Sequence, residues 1–440
     1  MTPLYGWYGD DFTGATDTLA NIAQRGFGAF LFLGVPKAEH LAALPDIDAI
    51  GIAGAARSMT PEAMRQELVP VGRFFQQMGV RLLHYKCCST FDSGPTVGNL
   101  ATAIDVLGAF VADPRVAVIG GQPSLGRYCA FTTLFAAAEG TIHRLDRHPT
   151  MSVHPVTPMS EADLGRHLCD MGQNRIATIN CTDIDQGTLD HSWTRIPAGV
   201  VVFDAITASH IKEIGIFLRQ SSHRASLLAV GPSSVAEAFF DAPPVMYDYR
   251  PSSEPVLAIA GSLSGQTRRQ VAAATLYTHI DASPSVIADP SSRSAVVARA
   301  ASTLGDGGNV LLNTAPRGME PAAACMAIES SRLIRDILSR VPVKRLAIAG
   351  GDTSSRIVMG LGIWGLSFHA RSDDGVAICK TRSDDPNRDQ MTLLLKGGQM
   401  GGEHLFDRFA KSEPELLTYG NHAEEDVSDC GGWSRTLRDS

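Results

Sequence analysis

The sequence predicts an α/β fold of two α/β domains, each with a largely parallel sheet flanked by helices and with the ligand site in the interdomain cleft. Three observations predict it. Short apolar runs alternate with stretches of helical period, the pattern of a parallel sheet covered on both faces. A proline-rich segment, with Pro243, Pro244, Pro251 and Pro255, separates two such patterns. Glycine, acid or lysine residues then stand at the ends of the apolar runs, where open α/β sheets hold their ligands.

The first strand is read at Leu4 to Tyr8, followed by the turn Gly9-Asp10-Asp11-Phe12-Thr13-Gly14. Ala15, Leu19, Ile22 and Ala23 recur at helical spacing as far as Gly26. This turn brings two carboxylates and a free helix N-terminus to one place; one cap accounts for only one of them. Ala49 to Gly54 is a second strand, running into Arg57. Met64, Leu68, Phe75 and Met78 form a helical stripe that Pro70 should kink or end. Arg81 to Tyr85 is a third strand, leading into Lys86-Cys87-Cys88-Ser89. Val97 to Phe110 reads as a helix and Val116 to Ile119 as a strand. From Thr141 to Pro158 the chain turns polar, and its histidines share no helix face, so a solvated loop is expected in preference to a metal site. Ile176 to Ile179, Val200 to Phe203 and Ser226 to Val230 are further strands.

These patterns divide the chain into a first domain at 1–242, a linker at 243–255, a second domain at 256–415 and a polar tail at 416–440 expected to be partly disordered. The second domain opens with a strand at Val256 to Ala260, then Gly261-Ser262 and a helix through Val271 and Leu276. Asn309 to Asn313, Arg345 to Ala349, Val376 to Cys379 and Met391 to Leu395 are its other strands.

Composition narrows the function classes. Charged residues are 19% of the chain and hydrophobic ones 44%, as in an ordinary globular protein. A net charge of −8 argues against a nucleic-acid or anionic-membrane partner. No apolar run is long enough for a transmembrane helix, and the first eleven residues have no basic n-region, so no signal peptide is expected. The 8 cysteines form no C-x-x-C pair, as in a reduced, cytoplasmic protein.

The chemistry should sit on two sets of strand ends. Asp10, Asp11, Arg57, Lys86 and Ser89 make a mixed-charge pocket suited to a small molecule with a carboxylate, for the cations, and hydroxyls, for the aspartates and the serine. In the second domain, Gly350-Gly351-Asp352-Thr353 precedes a helix stripe of Ile357, Val358 and Leu361, a placement that suits phosphate. Asp352 fits such a loop as a helix cap, a ribose ligand or a partner of magnesium. Lys396-Gly397-Gly398 and Gly261-Ser262 end neighbouring runs in the same way. No P-loop motif occurs. The G-x-G-x-x-G of Gly360 to Gly365 follows its helix stripe instead of preceding it, and is taken as chance.

Asp10-Asp11-Phe12-Thr13-Gly14-Ala15, with Asp17 after it, resembles the opening motif of the four-carbon acid sugar kinases. Gly350 to Thr353 resembles that family's Gly-Gly-acid-Thr motif, and Lys396-Gly397-Gly398 with Gly401 is similar to its late loop. The resemblance covers both halves. It implies an N-terminal substrate domain and a C-terminal nucleotide domain, with ATP contacts at Ser262, Gly350, Gly351, Asp352, Thr353 and Gly398. It implies substrate contacts at Asp10, Asp11, Arg57, Lys86, Cys87, Cys88 and Ser89. One stretch departs from the family's usual Lys-x-Asp-Ser-Thr-Leu-Arg-Gly-Asn: here Cys88 replaces the aspartate and Asp92-Ser93 stands where the arginine is expected. The chain therefore looks like a divergent branch acting on 3-oxo-tetronates, tetronates or branched acids such as 3-oxo-isoapionate.

The expected activity is phosphoryl transfer from ATP, with Mg2+, to the terminal hydroxyl of a small sugar acid. Asp11 is the expected base and Asp10 a substrate ligand, and domain closure excludes water. A homodimer is allowed, the oligomeric state being left open. The alternatives are a two-domain NAD(P)-dependent dehydrogenase, which would need a well-placed glycine fingerprint, and a non-catalytic sugar-acid binding protein, a class generally exported.

Overall fold

A computed structural model describes residues 3–416 except 139, 155–156, 246, 263, 316–325, 374 and 399. Among the described residues the strands of both halves join into one 15-stranded sheet. In spatial order it runs Tyr277–Asp281, Asn309–Asn313, Val256–Ala260, Arg345–Ala349, Thr392–Lys396, Val376–Ser383, Ile363–Asp373, Ala29–Phe32, Ala49–Ala53, Tyr5–Gly9, Leu82–Lys86, Leu227–Gly231, Arg115–Ile119, Gly199–Phe203 and Ile176–Ile179. The first five strands are mutually parallel, and so are the last eight. Between them lies an antiparallel pair, Ile363–Asp373 with Val376–Ser383. Its first member carries the sheet across to the N-terminal half by pairing Gly365 to Ser367 with Phe30 to Phe32.

Burial follows the same plan. On one face a single apolar layer runs under both halves, including Trp7, Leu19, Phe203, Ile259, Leu346 and Leu395. On the other face it divides in two, around Ile52, Phe75, Tyr85 and Val118 in the N-terminal half and around Val256, Leu311, Leu394 and Phe406 in the C-terminal half. Strands buried on both faces read as continuous apolar runs, which is why Val200 to Phe203 and Val256 to Ala260 are legible without alternation.

Several elements differ from the sequence reading. The Pro61–Met78 helix passes through Pro70 without ending, because Met64, Leu68, Val71, Phe74 and Phe75 bury one continuous face. Packing of that stripe outweighs one lost backbone hydrogen bond. The polar segment after Thr141 is not a plain loop. Thr141–Arg144 is the third strand of a small antiparallel sheet with Arg127–Ala130 and Thr133–Ala138. Its histidines act locally: His148 accepts the amides of Thr150 and Met151. No group of three potential metal ligands occurs among the described residues. Within 243–255, Tyr247–Pro251 forms a two-stranded antiparallel ribbon with Ser412–Leu416. The strands Ala29–Phe32, Tyr277–Asp281 and Ile363–Asp373 were absent from the sequence reading; the tail beyond 416 lies outside the described residues.

Candidate active site

Three adjacent parallel strands build the first wall. Gly9 pairs with Ala53 on one side and with Lys86 on the other, so the three strands end level. The chain leaving each end carries Asp10 and Asp11, Arg57, and Lys86 itself. Backbone bonds tie the ends together: Asp10 N–H donates to Lys86 O at 3.0 Å and Arg57 N–H to Asp10 O at 3.1 Å.

Arg57 is the hub of this wall. Its Nη2 and Nε donate to the two oxygens of Asp10 at 2.7 and 3.2 Å, and its Nη1 donates to Asp11 Oδ2 at 2.8 Å. Asp11 also caps the following helix, accepting Gly14 N–H at 2.8 Å through Oδ1. The two acids are thereby made unequal. The Asp10 side chain is 2% exposed, and burial pushes its pKa up to about 6 against the pull of Arg57. Burial raises the Asp11 pKa too, but Arg57, Lys86 and the Gly14 amide overrule it and hold the carboxyl below its ordinary value. Asp11 is the more accessible, with 28% of its side chain exposed. Lys86 is buried and donates to Cys87 O at 2.8 Å.

Past Lys86 the chain turns sharply. Phe91 has φ +52, Cys88 Sγ lies 3.0 Å from Thr90 Oγ1, and that hydroxyl donates to Asp92 at 2.5 Å. Cys87 is buried, while Cys88 and Ser89 are half-buried. Burial, then Asp92, pushes the Cys88 thiol up, so it is a neutral group beside the pocket.

The second wall repeats the device. The strands ending at Ala260, Ala349 and Lys396 are adjacent and parallel. Gly261 N–H donates to Ala349 O and Gly350 N–H to Lys396 O. Gly350 has φ +129, a conformation side chains rarely adopt, and it starts the Gly351–Gly360 helix. Thr353 is buried in its first turn; the Asp352 side chain lies outside the described residues.

The Lys396 to Gly402 turn is gripped from behind by the Gly265–Ala273 helix, which the sequence reads as a helix running on to Leu276 and without this contact. Ser264 and Thr267 hydroxyls both donate to Gly398 O. Gln270, fully buried, donates through Nε2 to the carbonyls of Met400, Gly401 and Gly402 at 3.1, 3.0 and 3.0 Å. Lys396 is 0% exposed and bonds Thr267 Oγ1 and Gly398 O, and burial brings its pKa down to about 8.

The two walls meet at the first helix, Phe12–Ala23. A Cβ placed on Gly351 would lie 3.5 Å from Thr13 Oγ1, and one on Gly397 would lie 3.5 Å from Thr13 Cγ2. Thr13 thus packs against both glycine loops, two residues after Asp11. The structure brings together Asp10, Asp11, Arg57 and Lys86 in one cluster and Ser262, Gly350, Gly351, Thr353 and Gly398 in another, with Thr13 between them.

Comparison with known proteins agrees with this division. Residues 5–239 match a sugar-binding N-terminal domain and residues 257–406 a nucleotide-binding C-terminal domain. The chain is 33% identical to a 3-oxo-isoapionate kinase of Paraburkholderia graminis, over 92% of this chain and 93% of that one. It is 28% identical to a 3-oxo-tetronate kinase of Methylobacterium radiotolerans, over 93% and 99%. A crystal structure of a Haemophilus influenzae protein shares the fold at TM-score 0.72 with 21% identity, covering 92% of this chain and 98% of that one. The chain belongs to the four-carbon acid sugar kinase family, a sugar-binding domain joined to a nucleotide-binding domain.

Proposed function

We propose that this protein is an ATP-dependent kinase of a small sugar acid, transferring the γ-phosphoryl group to a terminal hydroxyl of a 3-oxo-tetronate, a tetronate or a branched acid of the 3-oxo-isoapionate type. One observation carries the reading: Thr13, two residues past Asp11, packs against both glycine loops, so an acceptor held at the acidic turn would face phosphates held by those loops. The relatives named above are kinases of such acids.

Asp11 serves as base. A primary hydroxyl is a weak nucleophile, and a carboxylate within reach takes its proton as the loose transition state forms. Asp11 stays ionised under the cations around it and keeps 28% of its side chain exposed, whereas Asp10, at 2%, is sealed behind Arg57. Arg57 orients the pair through three bonds to the two acids, and Lys86, which donates to Cys87 O, is the cation assigned to a substrate carboxylate. Asp10, Cys87, Cys88 and Ser89 complete the acid-sugar side. On the other side, amides at Gly350, Gly351 and Gly398 and the hydroxyls of Ser262 and Thr353 receive phosphate oxygens.

Mg2+ would be bound mainly by nucleotide phosphates and water, with Asp352 as a helix cap, a ribose ligand or a partner of the ion. When bound it neutralises phosphate charge. The reading places the enzyme in the cytoplasm, where ATP is available; its assembly, including a homodimer, is open to sizing by light scattering.

The test is a coupled ADP-release assay over tetronates, 3-oxo-tetronates and branched C4 and C5 acids, repeated with Asp11→Asn. At least one acid should release ADP with wild type and almost none with the variant. A blank across the panel would remove support for the kinase reading, and an active Asp11→Asn would remove the base.

A further inference from the structure

The motif aspartate that neither caps the helix nor faces Arg57 is Asp17. It lies one turn beyond Thr13, so the two share a helix face. Its carboxylate is divided between the halves of the molecule. Oδ1 accepts Arg371 Nη2 at 2.9 Å, from the strand that carries the sheet across. Oδ2 accepts the Ser233 hydroxyl at 2.5 Å. The pair is enclosed, with 21% and 15% of the Arg371 and Asp17 side chains exposed, and Ser233 is fully buried.

Ser233 belongs to the substrate side. It follows the Leu227–Gly231 strand, whose last carbonyl accepts Cys87 N–H at 3.0 Å, immediately after Lys86. The neighbouring Ser234 hydroxyl donates to Gly121 O, so this loop is pinned to the next strand end as well. Hydrogen bonds therefore run from a nucleotide-half arginine through one carboxylate to the loop bordering the sugar-acid wall. An aspartate inside a helix is otherwise a poor choice, since its side chain competes with the backbone. Nearby, two cations, Arg25 and Arg371, stand among three acids, Glu237, Asp241 and Asp17, and Glu237 accepts from Gln122 and Ser124.

We propose that Asp17 is a positioning residue that sets the spacing of the acidic turn and the nucleotide loops by tying Arg371 to Ser233. The proposal rests on the kinase reading for its effect on turnover. It touches neither substrate, so its removal lowers kcat and leaves both KM values nearly unchanged. A displacement on the 1 Å scale corresponds to a loss on the order of 100-fold.

Two measurements test it. In ADP release, Asp17→Asn and Arg371→Gln should each lower kcat about 10- to 100-fold with KM changes under about threefold, and the double variant should be no worse than the worse single one. In hydrogen exchange without any sugar acid, ATP should slow exchange in 350–360 of both wild type and Asp17→Asn, but in 231–240 of wild type alone. A rise in one KM at unchanged kcat, additive losses, or equal protection of 231–240 in the variant would overturn it. A wild type that turns over no acid yet transmits ATP protection to 231–240 would overturn the kinase reading and leave the tie standing.

Discussion

Adding one methyl group at Gly14 should separate catalysis from stability. A Cβ there would lie 2.4 Å from Asp11 Oδ1 and 2.6 Å from Lys86 Nζ. Unstrained contacts between such heavy atoms settle near 3.5 Å, so carboxylate and ammonium must each retreat by about 1 Å. That retreat breaks the cap bond from Gly14 N–H, now 2.8 Å, at a cost of about 0.5–2 kcal/mol. Alanine returns up to about 1 kcal/mol of helix propensity over glycine. The net change in folding is then within about 1 kcal/mol, and the urea midpoint should barely move. Catalysis has no such offset. A misplacement of about 1 Å in base and neighbouring cation costs on the order of 100-fold, or about 2.7 kcal/mol of transition-state stabilisation. Gly14→Ala should therefore fold like wild type and release ADP roughly 100-fold more slowly at saturating substrates. Wild-type kcat in the folded variant would refute the reasoning, because neither Asp11 nor Lys86 would then need its present position.

Other perturbations give equally separable outcomes. Arg57 favours the ionised forms of both acids, so Arg57→Gln should move the acidic limb of the kcat/KM profile to higher pH by about one unit or more; an unmoved limb would mean that neither carboxylate titrates in the reaction. Asp10 binds its proton more tightly folded than unfolded, so the stability this contributes is present below its ordinary pKa and lost as pH rises towards about 6. Asp10→Asn, which cannot ionise, should gain in urea midpoint on wild type across that window, and a gap moving the other way would contradict the burial argument. Gln270→Leu removes the amide that three carbonyls behind the late loop share, leaving Gly401 O its bond from Gln266 Nε2 at 2.7 Å, and should raise the KM for ATP at least tenfold with the sugar-acid KM unchanged; equal effects on both would point to general unfolding. Gly350→Ala forces a side chain into φ +129 and should cost roughly 1–3 kcal/mol in denaturant titration, a cost absent if that loop relaxes freely.

What the sequence made legible is whatever a short stretch of chain determines. The strand, acidic turn and helix around Asp10 and Asp11 can be read because strand, cap and apolar stripe are contiguous, and the same holds for Gly350-Gly351. Ile363–Asp373 was hidden by side chains that mix intermediate with buried positions along a bulged, antiparallel pair. Such strands are specified by their neighbours and not by their own pattern. The site divides in the same way. Its carboxylates and glycines announce themselves by type, whereas Gln270 and Asp17 act through partners about 130 and 354 residues away. A lone glutamine on a helix carries no local mark of the three carbonyls it will hold. The residues that present chemistry were thus readable as words, while those that hold the walls in place exist only as pairs; if that division is right, substituting Asp17, which ties the two halves, should alter kcat far more than the binding of either substrate alone, whereas Gln270, which serves one loop, should act through ATP binding.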